Sequence, residues 1–231
     1  MAGICVVASA KGGVGKTSLS VHLVGRIREL DKDRPIICVD ADPQEHSFKW
    51  LAECAPDVRV ERCTDAEVLL RKLPIWGDSS DMEAEHEEDQ PTRIIVDCFG
   101  GDSDLMRQAI GRADCVVIPV GASSLDLDAA SSTWRTVQLI RDLRNDELRP
   151  HVVFAPSRMT RTKVAEEVLE ALAEYEEEIL EHHIPQRAAI ADAAGQSAFV
   201  WDLPGSREVA ETMRAACDQI LARVTPKPWV K

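Results

Sequence analysis

The amino-acid sequence predicts an α/β fold, a doubly wound and mostly parallel sheet with helices on both faces. Several short apolar runs consist of consecutive valines, isoleucines and cysteines, without alternation of polar and apolar residues. Such runs are typical of strands that are covered on both faces, as in parallel sheets. Amphipathic stretches separate the runs, and this alternation of strands with helices is the pattern of a doubly wound sheet.

The elements follow one another along the chain in a regular order. The predicted strands are residues 4–8, 35–40, 58–62, 93–98, 115–120 and 152–156. Apolar residues at helical spacing between and after these runs predict the helices. The predicted helices are residues 16–30, 45–54, 66–73, 105–113, 127–143, 163–180 and 207–224.

The composition predicts a single domain, residues 1–231, in the cytoplasm. Apolar residues make up 45% of the chain, which is long enough to bury a full core. No apolar run approaches the roughly 18 residues of a membrane span, and no signal peptide is recognisable. The seven cysteines form no C-x-x-C pair, which disfavours an iron–sulfur or metal site and indicates a reducing compartment.

Charge is distributed unevenly along the chain. The formal net charge is −13, which argues against a general nucleic-acid binder. Residues 74–92 contain prolines, a glycine and serines, followed by the segment DMEAEHEED with six acids in nine residues. We expect residues 74–92 to form an acidic, solvated surface loop within the domain.

A glycine-rich segment, SAKGGVGKTS at residues 9–18, lies between the first predicted strand and the first predicted helix. It matches most of the phosphate-binding pattern G-x-x-x-x-G-K-[ST], with Ala10 in place of the first glycine. Glycines allow backbone N–H groups to face phosphates, and the helix N-terminus attracts anions. The residues expected to bind the nucleotide here are Gly12, Gly13, Val14, Gly15, Lys16, Thr17 and Ser18.

Side chains of the segment have distinct expected roles. Lys16 brings a positive charge to the β- and γ-phosphates, and the Thr17 hydroxyl is a ligand for Mg²⁺. Ser18 adds a contact to the α-phosphate. A second lysine, Lys11, lies five residues before Lys16, and the general pattern gives it no role.

Acidic residues follow two of the predicted strands. The segment IICVDADPQ (36–44) ends its strand with Asp40 and Asp42, and RIIVDCFGG (93–101) does so with Asp97. Alternate residues of an extended strand point the same way, so Asp40 and Asp42 can both face the carboxyl edge of the sheet. Carboxylates at this edge are typical holders of Mg²⁺ in phosphate-loop enzymes.

These three motifs, in this order and spacing, resemble the ParA/MinD family of deviant Walker ATPases, which are P-loop NTPases. The resemblance extends to VIPVGASSLDLDAA (117–130) and to IPQRAAIADAAGQSAFVWDLPGSREVAE (184–211). It is closest to small ParA proteins without an N-terminal DNA-binding extension. It implies slow ATP hydrolysis with Mg²⁺, a homodimer with ATP sandwiched between the subunits, and a stimulating ParB-like adaptor protein.

The resemblance also assigns roles to single residues. Lys11 matches the signature lysine that crosses the dimer interface to the partner's phosphates, and Asp42 matches the residue that positions the attacking water. Asp40 and Asp97, with Thr17, correspond to the Mg²⁺ shell. Ser157 stands where relatives often have an adenine-binding asparagine, and Ile184 with Pro185 forms the opposite wall. The arginines that match nonspecific DNA contacts are Arg187 and Arg207.

The function implied by the resemblance is an ATPase switch that positions or segregates a cargo, most often plasmid or chromosomal DNA. An association with the nucleoid and no association with membranes are expected. The DCFGG segment departs from the usual proline-containing version and is similar to a branch that serves conjugative DNA transfer. A recruitment ATPase of conjugation and a MinD-like, membrane-cycling ATPase therefore remain as alternatives, whereas an iron–sulfur carrier is disfavoured.

Overall fold

A parallel sheet of eight strands forms the centre of the protein in a computed structural model that describes residues 3–76, 92–143 and 150–224. The strands are β1 (Gly3–Val7), β2 (Ile36–Ala41), β3 (Arg59–Arg62), β4 (Arg93–Cys98), β5 (Cys115–Val120), β6 (His151–Met159), β7 (Glu178–Ile179) and β8 (Ile184–Pro185). Their order is β3-β2-β4-β1-β5-β6-β7, and β8 pairs with the second half of β6. The predicted parallel, doubly wound fold is thereby confirmed.

Helices cover both faces of this sheet. They are α1 (Lys16–Leu30), α2 (His46–Cys54), α3 (Ala66–Trp76), α4 (Asp104–Ile110), α5 (Ser124–Leu143), α6 (Lys163–Ala173), α7 (Ala188–Gly195) and α8 (Arg207–Leu221). Successive strand residues enter two different cores: Cys5 and Val7 pack with α1, α2 and α8, whereas Val6 packs with α3 to α6. No helix in the described ranges has the length and apolarity needed to cross a membrane.

The central strands are buried along their whole length, which explains their continuous apolar sequences. Every residue of β2, β4 and β5 is buried. Helix α8 buries one stripe at helical spacing against the sheet, as its sequence pattern predicts. The buried residues of this stripe are Val209, Met213, Ala216 and Ile220, and Val224 is buried just beyond the helix.

The structure corrects two predicted boundaries. The helix predicted over residues 163–180 ends at Ala173, and Tyr175 packs its ring against Phe154 and Trp134, so the chain turns back to the sheet and forms β7. The loop predicted over residues 74–92 begins too early. Helix α3 continues to the buried Trp76, residues 77–91 lie outside the described part of the chain, and Thr92 is buried.

Candidate nucleotide-binding site

The glycine-rich loop connects β1 to α1 at the carboxyl edge of the sheet. Gly13 and Gly15 have φ angles of 75° and 96°, a left-handed conformation that side chains disfavour. Val14 between them is buried and anchors the loop. Helix α1 begins directly afterwards at Lys16, so the positive end of its dipole faces the loop. This arrangement is the one that binds phosphate in other proteins.

The two lysines of the loop have opposite environments. Lys16 is only 7% exposed, and its Nζ donates a hydrogen bond to the Lys11 carbonyl oxygen at 2.8 Å. Burial lowers the pKa of Lys16, and the negative charge of Asp97 offsets part of this effect. The Lys11 side chain is 37% exposed, and its Nζ lies 2.5 Å from Oδ1 of Asp126 at the start of α5. One lysine therefore faces into the loop and the other faces outward.

Two buried carboxylates lie side by side at the ends of β2 and β4. Asp40 and Asp97 are register partners on these neighbouring strands. Oδ1 of Asp97 accepts a hydrogen bond from Ser20 Oγ at 3.1 Å, whereas Oδ2 has no hydrogen-bond donor among the described residues. Burial raises the pKa of Asp97 to about 7; the Thr17 hydroxyl lowers it, the charge of Asp40 raises it, and the Ser20 and Ser47 hydroxyls lower it. Asp97 is therefore the less well compensated carboxylate of the pair.

Backbone amides fix the two aspartates that follow β2. Oδ1 and Oδ2 of Asp40 accept hydrogen bonds from the N–H groups of Asp42 and Phe48, at 3.0 and 2.8 Å. Oδ1 of Asp42 accepts one from Gln44 N–H at 2.8 Å, and the Asp42 side chain is half-buried. The half-buried Asp42 carboxylate and the buried Asp40 carboxylate are therefore both held in a defined orientation by backbone amides.

The environment of Asp97 fits a Mg²⁺ ion. Its unpaired Oδ2, the adjacent charge of Asp40 and the nearby Thr17 hydroxyl form an oxygen-rich site, which is the chemistry that Mg²⁺ prefers. No group of three or more His, Cys, Asp or Glu side chains suited to a metal occurs among the described residues. Mg²⁺ is commonly held by one or two carboxylates together with substrate phosphates, and when bound it supplies positive charge to them.

A cavity of about 410 Å³ lies beside the loop, between the end of β6, β8 and α7. It is large enough for a purine base and mostly apolar. Ser157 and Pro185, the two residues expected to contact the base, both lie on its walls. The other lining residues are Gly13, Gly15, Ser18, Leu19, Arg158, Ile184, Gln186, Arg187, Ala188, Ile190, Ala191, Ala194 and Met213. The Ser157 hydroxyl donates to the Ala155 carbonyl at 2.9 Å, so it is occupied within its own strand.

The glycines after Asp97 allow two segments to touch. A Cβ atom at Gly100 would lie 2.9 Å from the backbone nitrogen of Gly12, closer than a side chain tolerates. Gly101 N–H also donates to the Ser9 carbonyl at 3.3 Å. The segment that follows Asp97 is therefore packed directly on the glycine-rich loop.

The two arginines predicted to contact DNA occupy helix starts. Arg187 directly precedes α7, is exposed, and also lines the 410 Å³ cavity. Arg207 is the first residue of α8, and its Nε lies 2.9 Å from Oε1 of Glu211 in an exposed ion pair. Arg187 is therefore exposed to solvent and also lines the cavity. Glu211 neutralises part of the Arg207 charge.

Sequence reasoning missed two residues of the site. Asp126, the partner of Lys11, is 115 residues away in the chain, and only its place in the quoted segment 117–130 gave a signal. Arg158 donates from Nη1 to the Gly13 carbonyl at 2.7 Å. It follows Ser157 directly, but a lone arginine after a strand carries no recognisable pattern.

Comparison with known proteins agrees with this geometry. The family model described as CobQ/CobB/MinD/ParA nucleotide binding domain matches residues 5–198. The sporulation initiation inhibitor protein Soj of Bacillus subtilis (strain 168) is 26% identical over 243 residues, covering 90% of this chain and 94% of Soj. The maintenance of carboxysome distribution protein A of Halothiobacillus neapolitanus is 27% identical over 228 residues, covering 95% of each chain.

A solved structure shares the fold. MinD in the MinC:MinD cell division protein complex of Aquifex aeolicus superimposes with a TM-score of 0.69 at 17% identity, covering 97% of this chain and 98% of that chain. The family model spans most of the chain and includes the loop, the three acids and the cavity walls up to α7. The protein belongs to the CobQ/CobB/MinD/ParA family of nucleotide-binding domains and is a ParA/MinD-type P-loop ATPase.

Proposed function

We propose that this protein hydrolyses ATP as a switch that forms a homodimer around the nucleotide and positions or segregates a cargo, namely plasmid or chromosomal DNA. The observation that carries the proposal is the difference in burial and orientation between the two loop lysines. Lys16 is buried and faces its own loop, whereas Lys11 is partly exposed and forms an ion pair with Asp126, whose side chain is 15% exposed. A cation in the second position is available to the phosphates of a neighbouring subunit.

In this proposal each group of the site has one task. The loop backbone and Lys16 bind the phosphates, and Thr17, Asp40 and Asp97 hold Mg²⁺. The carboxylate of Asp42 accepts a hydrogen bond from the attacking water and orients it. Lys11 of the neighbouring subunit stabilises the charge that develops on the transferred phosphoryl group, as an arginine finger does. Hydrolysis is slow in the isolated protein, and a ParB-like adaptor stimulates it.

The cargo is proposed from the relatives and from two arginines. The relatives include a chromosome partitioning protein, ParA of Myxococcus xanthus, and a carboxysome distribution protein, so the cargo differs within the family and includes DNA. Arg187 and Arg207 are exposed cations on an otherwise acidic protein, and dimerisation doubles their number. A local basic patch can bind DNA because distant acidic charges are screened beyond about 8–10 Å.

Two variants test the switch by opposite effects on the dimer. Lys11→Ala removes the cation that reaches the partner, so ATP-induced dimers should be lost while monomeric ATP binding persists. Asp42→Ala leaves the phosphate contacts intact but stops hydrolysis, so the ATP dimer should accumulate. Light scattering with ATP and with ADP measures both, and Asp33→Ala serves as an exposed control. Normal ATP dimers in the Lys11 variant would refute the proposed switch.

The cargo needs a separate experiment. Fluorescence anisotropy on random duplex DNA should show binding with ATP and not with ADP. Four phosphates neutralised per dimer predict a log–log salt slope of roughly −3 to −4. Replacing both Arg187 and Arg207 by Glu should eliminate binding, whereas the same change at the exposed residues Arg71 and Arg112 should not. Absence of binding by the wild-type protein with ATP at low salt would exclude DNA as the direct cargo.

A further inference from the structure

Arg158 occupies an unusual backbone position at the end of β6. Strand β8 pairs Ile184 with Ser157 and Pro185 with Met159, so Arg158 is an extra residue in β6, a β-bulge. Its φ angle is 57°, in the left-handed region that a long side chain rarely adopts. Backbone conformations of this kind cost free energy and cluster at functional sites, and bulges redirect side chains next to active sites.

The bulge directs Arg158 across the phosphate loop. Its Nη1 donates to the Gly13 carbonyl at 2.7 Å, while the guanidinium remains exposed. The residue lines the 410 Å³ cavity and also a second cavity of about 280 Å³ that contains Lys11 and Gly12. Among the described residues, only Gly13 and Gln186 also line both cavities. Because Gly13 of the glycine-rich loop lies at this junction and accepts a hydrogen bond from Arg158, an anion bound by the loop lies within reach of the guanidinium.

We propose that Arg158 is a nucleotide-binding residue whose guanidinium contacts the phosphate chain bound by the same subunit. The inference rests on the proposed ATPase function and adds to it a third cation beside Lys11 and Lys16. A guanidinium has five N–H donors in a planar fork that suits phosphate oxygens, and one donor holds the Gly13 carbonyl. The Arg158 side chain therefore stabilises the loop through the Gly13 carbonyl and also binds the phosphates of the nucleotide.

The rival explanation is a purely structural brace for Gly13. Arg158→Gln and Arg158→Lys separate the two roles because both variants keep a long side chain and the same backbone strain. Gln keeps a neutral N–H donor for the Gly13 carbonyl but has no charge, whereas Lys keeps the charge. Arg161→Gln makes the same charge change at an exposed position that lines neither cavity. Isothermal titration calorimetry with ADP, and with adenosine as the phosphate-free probe, gives the affinities.

We expect Arg158→Gln to weaken ADP binding roughly 10- to 100-fold, the effect of losing a charged hydrogen bond. Adenosine affinity should not change, which also shows that the variant is folded. Arg158→Lys should stay within about 5-fold of wild type for ADP, because a point charge replaces part of the fork. Unchanged ADP binding in Arg158→Gln, equal losses in both variants, or a parallel loss of adenosine binding would each overturn the inference. Failure of the wild-type protein to bind ADP or ATP would instead overturn the proposed function.

Discussion

The phosphate end and the base end of the site are built in opposite ways. At the phosphate end, a contiguous loop and three acids present charge and backbone N–H groups from the first 97 residues. At the base end, the cavity is mostly apolar, and its walls come largely from residues 157–213. In the proposed function the first region binds phosphates through electrostatics that depend on the position of each atom, whereas the second binds the base through shape and the exclusion of water.

This difference determines how each region responds to substitution. Loss of one charge at the phosphate end removes strong interactions in a desolvated setting. Single changes at the base end alter only part of a broad apolar contact. We therefore expect large effects on binding at the loop, moderate effects on binding at the cavity and on stability at His22, and almost no effect at the Ser157 hydroxyl.

The largest effect is expected from Lys16→Ala. In the proposed function its buried ammonium makes charge-assisted contacts to phosphate oxygens, and two such contacts are worth roughly 10²- to 10⁴-fold in affinity. Calorimetry with ATP measures the loss, and Lys32→Ala on the exposed surface is the control. ATP binding at wild-type affinity would show that the loop does not bind phosphates through Lys16.

His22 connects the first turn of α1, which includes the cavity-lining Ser18, to Val200 after α7, and its titration tests this connection. Its Nε2 accepts from Val200 N–H at 3.0 Å, so Nδ1 carries the proton and donates to the Ser18 carbonyl at 2.6 Å. Burial lowers the pKa of His22 to about 4. As the pH falls below about 6.5, the unfolded chain takes up this proton first, so stability present above 6.5 is lost down to about pH 4.

This loss amounts to about 3 kcal/mol in the free energy of unfolding. Urea unfolding at pH 7.5, 5.5, 4, 3.5 and 3 should show a steeper decline in stability between pH 6.5 and pH 4 for wild type than for His22→Gln. Below about pH 4 the two proteins should run parallel. If the free energy of unfolding declines equally with pH in both proteins across the whole range, His22 is not held neutral in the folded protein.

A change at the cavity should separate base binding from phosphate binding. Ala191 lines the cavity, and Ala191→Trp fills space that the base needs. Overfilling a packed site costs about 1–3 kcal/mol, so ADP binding should weaken roughly 5- to 100-fold. Pyrophosphate affinity should remain unchanged, and Ala52→Trp on the exposed face of α2 is the control. If pyrophosphate and ADP weaken together, the two regions are not separable.

The smallest effect is expected at Ser157. Because its hydroxyl already donates to the Ala155 carbonyl, Ser157→Ala should leave ADP affinity within about 2-fold of wild type. Fluorescence titration with a labelled ADP is sensitive enough to detect this. A 10-fold loss would show that the hydroxyl turns towards the base when a nucleotide binds.

The same contrast explains what the sequence could predict. Continuous apolar strands and the loop motif are local patterns, so the fold class and the placement of Lys16, Asp40 and Asp97 at one edge follow from them. Strands β7 and β8 have two residues each, which is too short for any periodicity, and α7 lies in a segment without strong amphipathic contrast. The Lys11–Asp126 pair and the aim of Arg158 are tertiary contacts between distant segments.

The late position of the cavity walls has a consequence for how such proteins diversify. Strand β8, α7 and α8 come after the segments that carry the loop and the acids. Mutation of these later segments can change which base is accepted, or how long a nucleotide stays bound, while the phosphate-binding segments remain untouched. Substitutions there can therefore alter the residence time of the nucleotide without replacing Lys16, Asp42 or Asp97.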